Sequence, residues 1–253
     1  MKRLFILSSA ILVSTLAHGS VIISQWNFNS NPSDANTATG SIIASTGAGT
    51  VNLIGGLAAL TFAGGVGSSD TAAAADNSGL QTSGYPAQSA SSGTAGVVLS
   101  VSTASFLPAA YTGLEVKFDL RISNTASRWY RLDYTTDAGA TWNLGAATRL
   151  GTAANGGDTW YPSNSVSITD PAALGNANFQ TRVVSVFSGN AFTEASSSTN
   201  FAANAAYEVA RNTTSAYGGG TWRFDMMTVT AVPEPSVVLL GGISLLGLLR
   251  RRR

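Results

Sequence analysis

Between residues 114 and 122 apolar and charged side chains alternate without a break. Leu114, Val116, Phe118, Leu120 and Ile122 are separated by Glu115, Lys117, Asp119 and Arg121. Successive side chains of a strand point to opposite faces, so this pattern gives a strand with one dry and one wet face. A helix would scatter the same five apolar groups around its circumference. Residues 129–135 repeat the pattern, with Tyr130, Leu132 and Tyr134 on one face and Arg131 and Asp133 on the other. Residues 221–229 do so again, with Trp222, Phe224 and Met226 opposed by Arg223 and Asp225. Further strands are expected at 21–28, 57–62, 97–102, 181–187 and 207–211. No body segment carries a 3.6-residue apolar stripe bounded by caps, and no internal repeat is present. The expected fold is all-β: an antiparallel β-sandwich of the jelly-roll or lectin-like kind over 20–231. Stretches near 64–96 and 151–180 hold mainly small and polar residues and are expected to be long loops, because they bury too little to offset ordering.

The two ends read as addresses. Lys2 and Arg3 precede an apolar run at 4–16, and in Ala17-His18-Gly19 the small residues Ala17 and Gly19 stand at the −3 and −1 positions for cleavage before Ser20, so 1–19 is expected to be a helical signal peptide. At the other end, Val232, Pro233, Glu234, Pro235 and Ser236 lead into an apolar run at 237–249, closed by Arg250, Arg251, Arg252 and Arg253. As a helix those 13 residues would span about 20 Å, short of the roughly 30 Å hydrocarbon core. The arginine block is a strong cytoplasmic stop signal. This arrangement over 232–253 resembles the PEP-CTERM sorting signal of Gram-negative exported proteins, a tail also labelled the ice-binding protein C-terminal domain. The resemblance implies recognition by an exosortase-type membrane peptidase near Pro233, Glu234 and Pro235. It also implies a short C-terminal helix held transiently in the inner membrane, and release to the cell surface or extracellular matrix.

Composition narrows the chemistry of the body. Of 14 Lys+Arg, six lie in the processed ends, against one of 13 Asp+Glu, so the body carries about −4. A body of that charge has no basic stripe to meet phosphates, and nucleic acid is not an expected partner. Cysteine is absent and the single histidine is His18. Disulfides, thiol nucleophiles, a Ser-His-Asp triad and histidine-ligated zinc are therefore unavailable to the body. Glycoside hydrolysis needs two carboxyl groups facing one another across a cleft. Glu115 and Asp119 share a strand face with Lys117 and Arg121, which reads as ion pairing, while Glu194 and Glu208 lie in weakly patterned segments.

Three motifs remain. Thr135, Asp137, Gly139, Thr141 and Trp142 resemble an Asp-box, a structural hairpin in which Asp137 accepts turn amides, Gly139 supplies a positive φ and Trp142 folds back. Asp158, Trp160 and Tyr161 form the candidate carbohydrate platform, because aromatic faces suit sugar rings and a carboxylate suits hydroxyls. No cofactor is expected. A structural calcium stays open, with Asp34 after the first strand as its one named candidate and no EF-hand spacing in the chain. No catalytic residue is assigned. The expected function is that of an exported surface or matrix protein whose body is a structural or weak glycan-binding module, with exopolysaccharide as partner. The alternative is a secreted carbohydrate-active enzyme using a carboxylate pair.

Overall fold

A computed structural model describes residues 19–58, 60–86, 91–151, 157–186 and 220–234. Twelve strands run in chain order: β1 (Val21–Trp26), β2 (Thr46–Gly47), β3 (Thr50–Ile54), β4 (Thr61–Gly64), β5 (Ser78–Ser83), β6 (Gly96–Ser100), β7 (Tyr111–Ile122), β8 (Trp129–Thr135), β9 (Ala147–Arg149), β10 (Thr159–Ile168), β11 (Gln180–Ser185) and β12 (Thr221–Pro233). The only helical element among the described residues is a 3₁₀ turn at Pro171–Ala173. Sheet A is seven-stranded, ordered β10-β7-β12-β1-β2, with β5 pairing the first half of β12 and β4 pairing β5. Sheet B is five-stranded, ordered β3-β6-β11-β8-β9. Every pairing is antiparallel, and the chain is an all-β sandwich.

The dry faces predicted from alternation meet between the sheets. Leu114, Val116, Phe118, Leu120 and Ile122 of β7 are buried, as are Tyr130 and Leu132 of β8. Phe118 and Tyr130 meet edge to face at 5.2 Å, joining sheet A to sheet B. Trp26 and Trp222 are wholly inaccessible, and each indole N–H finds a carbonyl, Ile42 O and Ser127 O, both at 3.1 Å. Tyr85 closes this end by packing on Trp222 at 5.0 Å.

The structure departs from the sequence reading in several places: β3 was not expected, and the strand expected at 57–62 lies at Thr61–Gly64. The expected loop near 64–96 contains β5, and that near 151–180 contains the ten-residue β10. β5 is rich in Ser and Thr and β10 in Ser, Thr and Asn, so pairing with β12 and β4 in the first case and with β7 in the second, rather than apolar alternation, defines them. In β12 the buried methionine is Met227, because β12 holds one extra residue between Asp225 and Thr228, and Met226 takes φ 48° in that bulge. Finally, β12 runs past 231: Val232 pairs with Gly113, Pro233 pairs with Tyr111, and Glu234 N donates to Ala110 O at 3.1 Å. The sheet thus reaches into the segment read as the tail. Among the described residues no helix is long and apolar enough to cross a membrane. The apolar runs at 4–16 and 237–249, the expected strand at 207–211, Glu194, Glu208, Pro235 and the terminal arginines lie outside the described residues.

Candidate functional site

Antiparallel pairing sets side chains from neighbouring strands on one face, so the register maps the wet side of sheet A. Trp160 of β10 stands opposite Arg121 of β7, which faces Arg223 of β12, then Gln81 of β5 and Thr61 of β4. Five strands at about 4.8 Å make this row roughly 19 Å long. It is a line of planar groups: one indole, two guanidiniums and one amide.

Each member is held. Asp158 takes a left-handed φ of 56° just before β10, and its half-exposed carboxylate accepts from Arg121 at 3.0 Å and from Asn124 Nδ2 at 2.6 Å. Arg223 donates to Gln81 Oε1 at 2.7 Å and to the carbonyl of Gly64. Burial, and then the positive charge of Arg121 alongside, bring the Arg223 pKa down to about 10, with Asp158 acting the other way. Half-buried Trp160 leans on Gly67, where φ is +103° and a Cβ would press on the indole at 2.9 Å. The structure brings Asp158 and Trp160 to one side of the sheet. Tyr161 turns to the other, in register with Leu120, and packs against the core. Consecutive strand residues cannot share a face.

Beneath this row, Asp119 and Asp225 face each other across β7 and β12, and the 65–77 loop lies over both. Sequence reasoning missed this pair, since each looked like one more charge on a solvated face. The only sequence signal was the adjacent Met226 and Met227, which break the alternation and mark the bulge.

The wet face of sheet B carries the other strong feature. Asp133 is wholly buried and accepts from Arg131 Nε at 2.6 Å, Arg131 NH2 at 3.0 Å, Arg182 Nε at 2.9 Å and Gly145 N at 3.2 Å. Trp142 stacks on the Arg182 guanidinium at 4.1 Å. Trp142 ends the hairpin in which Asp137 accepts from Thr135 Oγ1 at 2.5 Å, Thr141 Oγ1 at 2.5 Å and Thr141 N at 2.9 Å. Gly139 there has φ +93°. The hydroxyls of Thr135 and Thr141 bring the Asp137 pKa down to about 2. These residues organise a turn and fold it over the sheet.

Asp34 does similar work at a loop, accepting from Thr39 Oγ1 at 2.6 Å and Asn36 N at 3.0 Å on the exposed surface. Of the sorting motif, Pro233 ends β12 and Glu234 follows it.

No protein-family model and no curated protein matches the chain. Among solved structures, the CBM22-2 xylan-binding domain of Paenibacillus barcinonensis Xyn10C is 14% identical, covering 83% of this chain and 99% of its own, with a TM-score of 0.43. The CBM22-1-GH10 modules of Clostridium thermocellum Xyn10B, complexed with xylohexaose, are 10% identical over 86% of this chain and 29% of theirs, at 0.41. The K1 cleaved adhesin domain of Lys-gingipain from Porphyromonas gingivalis W83 is 11% identical over 72% and 98%, at 0.34. Likenesses this distant carry no residue or ligand across to the present chain.

Proposed function

We propose that the chain is an exported surface or matrix protein and that its sandwich is a non-enzymatic module holding glycan weakly along the Trp160 row. The observation that carries the body's role is the row itself: an indole continuous with two guanidiniums and an amide on one wet sheet face. Aromatic faces pack against sugar C–H faces, and guanidiniums bind carboxylates with two parallel hydrogen bonds. Arg121 and Arg223 stand side by side, and one half-exposed carboxylate, Asp158, pairs with Arg121. Within the row itself two guanidiniums against one carboxylate favour an acidic glycan, such as a uronate-bearing exopolysaccharide, over a neutral one, because the neighbouring Asp119 and Asp225 lie covered by the 65–77 loop. The proposal assigns Asp158 to positioning Arg121 and Tyr161 to packing.

The non-enzymatic part rests on access. Asp119 and Asp225, the facing carboxylates of the sheet, are engaged by Ser69 N, Ser163 N, Ser68 Oγ and Met226 N, and the loop carrying Ser68 and Ser69 lies between them and solvent. A sugar on the surface would not reach them.

The sorting part rests on the order of Pro233, Glu234, Pro235, the apolar run and the four arginines. An exosortase-type peptidase would act near that motif, after transient insertion of the tail in the inner membrane. Replacing Pro233, Glu234 and Pro235 with alanine should leave unprocessed precursor in the membrane fraction; normal maturation would refute this part. For the body, a glycan array should show signal on uronate-bearing polymers that falls for Trp160→Ala. Equal signals from the two proteins would remove the platform.

A further inference from the structure

From the carboxylates under the 65–77 loop we infer a site for one divalent cation of the calcium type, formed by Asp119, Asp225 and the side-chain oxygen of Asn77, with the charge of Asp70 added. This goes beyond the glycan reading and does not depend on it.

Burial without counter-charge is the first reason. Asp119 is 1% exposed and Asp225 is 0% exposed, and they stand opposite one another in register. Among the described residues no lysine or arginine pairs with either of them or with Asp70. Their partners are amides and hydroxyls only. Asp119 accepts from Ser69 N and, at 2.6 Å, from Ser163 N. Asp225 accepts from Ser68 Oγ at 2.6 Å and Met226 N at 2.7 Å. Asp70 accepts from Asn29 Nδ2 at 2.7 Å and Ala72 N at 3.0 Å. Like charges packed this closely away from water are costly unless a cation stands among them.

The second reason is independent of the carboxylates. Asn77 is 3% exposed, and its Oδ1 has no hydrogen-bond partner, although buried acceptors are nearly always satisfied. This oxygen points at the cluster: a Cβ added to Gly65 would collide with Asn77 Oδ1 and meet Asp225 Oδ2 at 2.9 Å. Its amide nitrogen donates to the main-chain oxygen of Asp70 at 3.4 Å. An unused amide oxygen beside a buried carboxylate is what an oxygen-seeking cation coordinates.

Donor chemistry selects the ion. The oxygens at hand are those of the carboxylates, the Asn77 amide and the Ser68 hydroxyl, which suit a hard, oxygen-seeking cation. No group of three His, Cys, Asp or Glu side chains among the described residues forms a metal cluster by itself, so the Asn77 amide oxygen is an essential third donor in this site. The backbone is shaped for this. Bulges interrupt both neighbours of β7 beside Asp119, at Met226 on β12 and at Ser163 on β10, and both residues have positive φ. Bulges recur where a side chain must be re-aimed.

The test compares thermal unfolding of the purified protein in EGTA and in millimolar calcium. Calcium at about 100-fold above its dissociation constant should raise Tm by roughly 5–10 °C for a domain of this size. Asp225→Asn should abolish that rise while melting in EGTA no lower than the wild type, and Asp34→Asn should keep it. Terbium is the direct probe, since Trp160 rests on the same loop and would sensitise its emission. Saturation at one ion per chain, reversed by calcium, is the expected result, and it decides the matter even if Asp225→Asn fails to fold. Equal wild-type melting in EGTA and calcium without saturable terbium emission, or a full calcium response in Asp225→Asn, would overturn the site.

Discussion

Asp133→Ala should destabilise the sandwich far more than an ordinary surface change. The carboxylate has no exposed area, and it is the shared acceptor for two arginines whose side chains are only 17% and 15% exposed. Removing it leaves two guanidiniums facing one another without neutralisation and strips Gly145 N of its acceptor. Breaking a buried pair by deleting one partner costs about 3–5 kcal/mol. The low end applies, because both arginines lie near solvent and can swing partly outward. About 3 kcal/mol corresponds to a Tm lower by roughly 6–12 °C for a domain of this length. The assay is a circular-dichroism melt at neutral pH, with Asp133→Asn falling between alanine and the wild type because it keeps one acceptor. A drop under about 2 °C for Asp133→Ala would refute the reasoning, since that is what an exposed, screened pair gives.

Other outcomes follow from named contacts. Gly65→Ala should cost about 1–3 kcal/mol by forcing a methyl onto Asn77 and Asp225, read as a lower urea midpoint; an unchanged midpoint would mean the loop is not seated on the sheet. Asp137 has its folded pKa lowered to about 2, so its hydrogen bonds stabilise above the unfolded value near 4 and are lost as pH falls from about 4 to about 2. The stability gap between wild type and Asp137→Asn should therefore close across that window, and a gap independent of pH would contradict it.

Much of the sandwich was legible because β7 and β8 alternate strongly along their length and β12 does so as far as its bulge after Asp225. β10 was not, since Thr159–Ile168 has Ser, Asn and Pro where an apolar series would stand and is split by a bulge. Its pairing with β7 is a tertiary fact with no local signature. For the same reason Trp160 and Tyr161 read as one platform until a strand separated them. Asp119, Asp133 and Asp225 looked solvated because alternation reports which face a residue occupies, not whether a distant segment covers that face. The 65–77 loop covers two of them, and the third sits among Arg131, Arg182 and Gly145. The hairpin was readable in detail, because Asp137 and Gly139 act on residues within four positions.

The claim that the wet face of sheet A is the binding face can be tested through the chain's five tryptophans. In an ¹⁵N correlation spectrum each gives one indole N–H signal. Titration with an acidic oligosaccharide should shift the Trp160 signal and leave Trp26 and Trp222 in the core, and Trp142 over Arg182, where they were. Movement of Trp142 with Trp160 unchanged, or no movement of any indole at saturating sugar, would contradict the account.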